Sequence, residues 1–160
     1  ALLDSKIQNE RNVYFVFYAA EEVGLVGSQA VVADFLRKGI KLSAVMQLDM
    51  SGYRSPKDPH EIYFVSDFVD KGLTDYIANL AQVYLGYTPA QIGFLKCGYA
   101  CSDHASWHKN AYTAAFPFEA SWENYNHKIH TISDNMSLID FNHAWKFVNL
   151  GTAFIGEAAN

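Results

Sequence analysis

Eight consecutive residues, Val13 to Ala20 (VYFVFYAA), contain no charge and no turn former, and they constrain the fold more than any other stretch of the 160-residue chain. A half-exposed strand alternates apolar with polar residues and a surface helix keeps one polar stripe, whereas this run does neither. Its β-branched and aromatic content predicts a central strand covered on both faces, and strands buried on both faces belong to mostly parallel sheets. A membrane span needs about 20 apolar residues, so the run is not one.

Beyond Ala20 the chain alternates between helical and strand periods. Ser28 is placed to cap a helix whose Val31, Val32, Phe35 and Leu36 share a stripe, with Arg37 and Lys38 in its last turn and Gly39 as its stop. Leu42 to Met50 predicts a second strand, Gly52 to His60 a loop, and Glu61 to Val65 a third strand. Leu73, Ile77, Leu80, Ala81, Tyr84 and Leu85 recur at helical spacing before Gly86 and Pro89. Strands at Gln91 to Phe94 and Tyr112 to Phe118 flank a loop and helix containing Cys and His, and Phe141 to Phe154 is a closing helix. The expected fold is therefore a single α/β domain with a mostly parallel, doubly wound sheet flanked by helices in three layers. Sites in such sheets lie beyond the carboxyl ends of the strands.

The chain starts with Ala1-Leu2-Leu3 and a polar run from Asp4 to Asn12, an order that fits no signal peptide. It reads as the last turn of a truncated helix leading into the first strand, and so as a piece of a longer protein. Half of the residues are hydrophobic and 18% are charged, enough apolar material for a sizeable core. Twelve basic residues against seventeen acidic ones, with no Lys/Arg run, argue against nucleic acid or an anionic membrane as partner.

Acidic groups stand at two predicted strand ends, Glu21-Glu22 after the first and Asp49 near the end of the second. Adjacent carboxylates repel, so the pair either faces solvent in a turn or is held by cations or a metal. A second cluster runs CGYACSDHASWH from Cys97 to His108. The gap from Cys101 to His104 is too short for four ligands to surround one zinc ion. Cys97 and Cys101 can close a small disulfide, which implies an oxidising compartment, or stay as two buried thiols. His104 and His108 share a helical face without the glutamate of the zincin motif, so cap and packing roles are expected of them. His130 lies in the long connection from Glu119 to Asn135, where it is a surface residue unless it joins the carboxylates as a ligand. No nucleophile elbow, phosphate-binding loop or dinucleotide fingerprint is present.

The runs YAAEEVGLVGS (Tyr18 to Ser28), QLDM (Gln47 to Met50), CGYACSDHASWH and IHT (Ile129 to Thr131) together resemble the secreted bacterial leucyl aminopeptidases, members of the di-zinc aminopeptidase family that also contains glutaminyl cyclase relatives. The likeness covers nearly the whole chain. It implies a secreted peptide hydrolase with two zinc ions per parent enzyme and a three-layer zinc-peptidase sandwich, of which residues 1–160 would be the carboxyl-terminal part of the catalytic domain. Carried over by motif, Glu21 is the expected general base, Glu22 and His130 ligands of one zinc, and Asp49 a ligand of the other. Tyr99 is an expected hydrogen-bond donor to the substrate oxyanion. The second ion would bind the substrate's free amine. The apolar substrate pocket would be lined by Met50, Val65, Cys97, Tyr99, Cys101, Phe116, Phe118, Trp122, Tyr125 and Ile129.

The sequence departs from that pattern in one respect. The family's remaining ligands, a histidine in a His-x-Asp motif and a bridging aspartate, lie upstream of the Ala-Glu-Glu strand. The twenty residues before Glu21 contain no histidine, and their only acids are Asp4 and Glu10. The chain alone is thus expected to be zinc-poor and inactive, and to pair with the upstream half of its own protein or with a second copy. A glutaminyl-cyclase-type acyl transfer and a non-catalytic binding module are the alternatives to peptide hydrolysis.

Overall fold

The computed structural model describes residues 9–160, and the helix turn expected at residues 1–3 lies outside them. The first helix, α1 (Val26–Arg37), begins three residues earlier than expected, after Leu25 in the left-handed region at φ 59°. Ser28 is therefore inside the helix rather than at its cap. Its hydroxyl donates to the Leu25 carbonyl (3.2 Å) and meets Ser106 Oγ at 2.8 Å. Two short strands follow, β1 (Val45–Met46) and β2 (Ile62–Val65), so the expected Leu42-to-Met50 strand is paired over only two residues.

Helix α2 (Lys71–Leu85) starts where Asp70 accepts the Leu73 N–H (2.7 Å) and stops at Gly86, whose φ of 71° suits the residue without a Cβ. Strand β3 (Ile92–Leu95), helix α3 (His104–Lys109) and strands β4 (Ala114–Ala115) and β5 (Pro117–Phe118) come next. Helix α4 (Phe141–Ala158) is capped by Asp140, which accepts the Asn142 and His143 N–H groups.

Strand β1 pairs in parallel with β4, while β2 pairs in parallel with β3 and antiparallel with β5. The predicted Tyr112-to-Phe118 strand is thus split between two small sheets. Phe116 bridges them, its carbonyl accepting the Val65 N–H at 2.9 Å. Helices α2 and α4 cover one face, where Phe64, Ile77, Leu80, Phe147 and Leu150 are buried together. On the other face α1 and α3 bury Val32, Phe35 and Trp107 against Ala114. Three layers result, as the alternation of strands and helices predicts.

The strand expected first in the chain is also absent. Val13 to Ala20 forms no strand, and among the described residues its backbone N–H groups have no partner. Phe15 is 67% exposed and Phe17 94%. A strand is defined by a neighbour, and among the described residues no neighbouring strand lies against this run, however strong its own preference. It is tethered at both ends: the Glu10 and Arg11 N–H groups donate to the Ala159 carbonyl (2.8 and 3.0 Å), and Trp107 Nε1 donates to the Tyr18 hydroxyl (2.7 Å).

Candidate active site

The apolar run delivers Glu21 and Glu22 to the end of the domain through a tight turn. Ala20 is left-handed at φ 56°, and the Glu21 carbonyl accepts the Gly24 and Leu25 N–H groups at 3.1 and 2.8 Å. Gly27 is required here, because a Cβ at that position would lie 2.1 Å from the Ala19 carbonyl oxygen. Helix α1 thus passes close against the chain just before the two glutamates.

Asp49 arrives at the same end, three residues beyond β1. It accepts the hydroxyl proton of fully buried Ser102 (2.8 Å), and Met50 after it is left-handed at φ 49°. His130 comes from the long connection, itself at φ 60°, and places Nε2 2.8 Å from Glu22 Oε1. The three carboxylates and His130 line one cleft of about 980 Å³. Non-glycine residues in the left-handed region hold strain, and three of the six among the described residues, Ala20, Met50 and His130, stand beside or at a site group.

Burial raises the Glu21 pKa to about 7, with the charges of Glu22, Asp49 and Asp103 adding to the rise and His130 opposing it. Asp103, whose Oδ1 has no partner, is also pushed up, first by burial. Glu119 is 3% exposed and accepts the N–H groups of Gly52 (2.7 Å) and Tyr53 (2.6 Å) through one oxygen. Its own N–H donates to the Met50 carbonyl at 3.1 Å. Glu119 therefore clasps the loop that leaves Asp49. Its pKa rises to about 7 because burial outweighs those two donors.

The apolar side of the cleft is formed by Met50, Cys101, Phe116, Phe118, Trp122, Tyr125 and Ile129. Phe116, Phe118, Trp122 and Tyr125 form a chain of ring contacts with centroids 5.3 to 5.5 Å apart. Val65 and Cys97 are not on its surface; they pack in the cluster behind it. Cys97 and Cys101 are disulfide-bonded, and Asp67 accepts the Cys97 and Gly98 N–H groups (2.9 and 2.7 Å). The braced loop holds Tyr99 at the rim, 61% exposed. His104 packs on Phe116 at 4.8 Å, and burial lowers its pKa to about 4. His108 is exposed, so these two histidines form no ligand pair.

Ser102, Asp103 and Glu119 are the members of this arrangement to which sequence pattern alone assigns no role. Ser102 and Asp103 lie within the CGYACSDHASWH stretch, and Glu119 carries no local signal at all. Among the described residues no three His, Cys, Asp or Glu side chains converge closely enough to hold a metal ion by themselves. Glu22 and His130 nevertheless fit one as a pair, offering an accessible carboxylate oxygen and an imidazole nitrogen side by side.

Comparison with known proteins agrees with this geometry. Leucine aminopeptidase 1 of Coccidioides posadasii is 36% identical over 166 aligned residues, covering 99% of this chain and 42% of that protein. The crystal structure of the Legionella pneumophila LapA aminopeptidase superposes with a TM-score of 0.91 at 43% identity, covering 99% of this chain and 43% of that one. A zinc aminopeptidase from Bacillus subtilis shares the fold at a TM-score of 0.70 and 23% identity, over 89% of this chain and 35% of its own. The likeness is therefore to fungal as well as bacterial enzymes, broader than the bacterial group that the motifs resemble. This chain spans under half the length of those relatives. The description of peptidase family M28 matches residues 1–155, and the chain belongs to that family.

Proposed function

We propose that this chain is the carboxyl-terminal part of the catalytic domain of a secreted, zinc-dependent aminopeptidase that removes an apolar, leucine-like first residue from peptides. The observation that carries the reading is the convergence of half-buried Glu21 with the Glu22–His130 pair and Asp49 beside an apolar cleft.

Glu22 and His130 would hold one zinc ion and Asp49 a second, with Ser102 fixing the Asp49 carboxylate. Bound zinc supplies an acidified water and a positive charge for the developing oxyanion. Glu21 is the general base: a carboxyl group with a pKa near 7 takes up a proton and releases it again close to neutrality. Tyr99 at the rim offers its phenol to the scissile carbonyl oxygen. The aromatic chain from Phe116 to Tyr125 and Met50 receive the first side chain. The Cys97–Cys101 bridge suits an oxidising, extracellular setting. The chain by itself provides three ligands for two ions, so it should carry less than stoichiometric zinc and depend on the rest of its protein.

The full-length protein separates this reading from the glutaminyl-cyclase alternative. Leucyl-p-nitroanilide should be hydrolysed and an N-terminal glutamine peptide left uncyclised. Cyclisation without hydrolysis would overturn the aminopeptidase assignment, and zinc-loaded protein that does neither would favour a binding module.

A further inference from the structure

The connection that carries His130 holds neither helix nor strand between Glu119 and Asn135, and from 127 to 137 every residue other than half-buried Ile129 is exposed. A segment with so little apolar anchorage is ordinarily mobile. Yet it keeps His130 at φ 60°, a backbone state that a residue with a Cβ does not hold without support. The support comes from polar contacts, and they converge on Asn126, which at 5% exposure is the one buried residue between Ser121 and Asn142.

Both halves of the Asn126 amide are engaged. Its Oδ1 accepts the Lys128 N–H (3.0 Å) where the chain enters the loop, and its Nδ2 donates to Asp134 Oδ1 (2.9 Å) where the chain leaves it. Its backbone carbonyl accepts the Ile129 N–H at 3.3 Å. Two further turns fill the interval: the Lys128 carbonyl accepts the Thr131 N–H (3.2 Å) and hydroxyl (2.6 Å), and the Thr131 carbonyl accepts the Asp134 N–H (3.1 Å). One buried side chain thus closes residues 126–134 into a ring with His130 midway. Only an amide can do this, because it carries a donor and an acceptor together; an aspartate at 126 would turn a second carboxylate toward Asp134.

We propose that Asn126 is a positioning residue for the metal-binding pair: joined to Asp134, it fixes the loop that presents the His130 imidazole to Glu22. The proposal rests on the reading that Glu22 and His130 hold one zinc ion. Partners that orient a metal ligand from outside the coordination sphere are typically worth about 10- to 100-fold in metal affinity.

Zinc titrated into the metal-stripped, full-length protein against a competing chelator tests this without any activity measurement. His130→Ala identifies the binding step that belongs to the pair. Asn126→Asp should weaken that same step about 10- to 100-fold and spare any other. Adding Asp134→Asn puts an amide opposite a carboxylate again, so the double variant should return to within about threefold of the parent. With His130 already replaced by alanine, Asn126→Asp should have no further effect, since it acts through the imidazole. Asp134→Ala, at an exposed position, reads the same loss should Asn126→Asp fail to fold. Parent affinity in the single variants, a loss that the exchanged pair does not recover, or an equal loss in the His130→Ala background would each overturn the positioning role. Zinc binding by the parent that His130→Ala leaves unchanged would instead overturn the ligand reading, and this proposal with it.

Discussion

His130 Nε2 lies 2.8 Å from Glu22 Oε1 across 108 residues of sequence, with both side chains about two-thirds exposed. A polar contact so open to water contributes little to folding, so it is better understood as two ligands brought to one point. His130→Ala should leave the denaturation midpoint of this chain within about 1 kcal/mol of its starting stability. The same change in the full-length protein should sharply lower its zinc content, measured after dialysis.

Glu21 and Glu22 are adjacent but should fail differently when replaced. In the full-length protein Glu21→Gln should keep its zinc and lose several orders of magnitude in kcat with KM little changed, because a base acts in the transition state. Glu22→Gln should lose metal. Metal analysis alongside steady-state kinetics checks both, and matching zinc content and activity in the two variants would refute the roles assigned.

Glu119 ties stability to pH. Its pKa is about 7 in the folded chain against an ordinary value of 4.5, so between these values the folded state holds a proton that the unfolded chain has released. The contribution of Glu119 to the stability of the metal-free chain should therefore fall as pH rises from about 4.5 to 7, by at most about 3 kcal/mol, against the opposite contribution of His104, whose lowered pKa adds stability over the same range. Glu119→Gln keeps an acceptor for the Gly52 and Tyr53 N–H groups and removes the titration. The change in urea midpoint from pH 5 to pH 7.5 should be more favourable to the folded state in the variant than in the parent chain, and an identical change in both would refute the Glu119 titration.

The Cys97–Cys101 bridge closes so short a loop that its effect on the unfolded chain is modest, about 2 kcal/mol. Reduction should leave the fold intact, since Asp67 still holds the Cys97 and Gly98 amides. Mass spectrometry of the denatured, unreduced chain should show a deficit of about two daltons relative to the reduced form, and alkylation before reduction should find no thiol.

Local pattern reaches far into this fold. Helix α2 is legible because its apolar period ends at a glycine, β2 because four consecutive residues are buried, and the site end because acids stand where apolar runs stop. Val13 to Ala20 misleads for a reason outside itself, since preference cannot supply a neighbouring strand. Ser28 resembles a cap because capping residues and small buried hydroxyls are the same residue types. Glu119 is invisible in the sequence because its partners are backbone amides 66 and 67 residues away, which leave no trace in side-chain spacing.

The left-handed backbone at Ala20, Met50 and His130 bears on how this protein can be engineered. Glycine would relax each of the three, and each holds of the order of 1 kcal/mol of conformational energy that a screen for thermal tolerance would reward recovering. Those three positions aim Glu21, Asp49 and the His130 imidazole. Directed evolution for heat resistance alone would therefore draw part of its gains from the residues that keep the cleft in register, alongside Leu25, Phe68 and Ala111, which share the left-handed backbone, and such a campaign needs a ligand-retention step in every round.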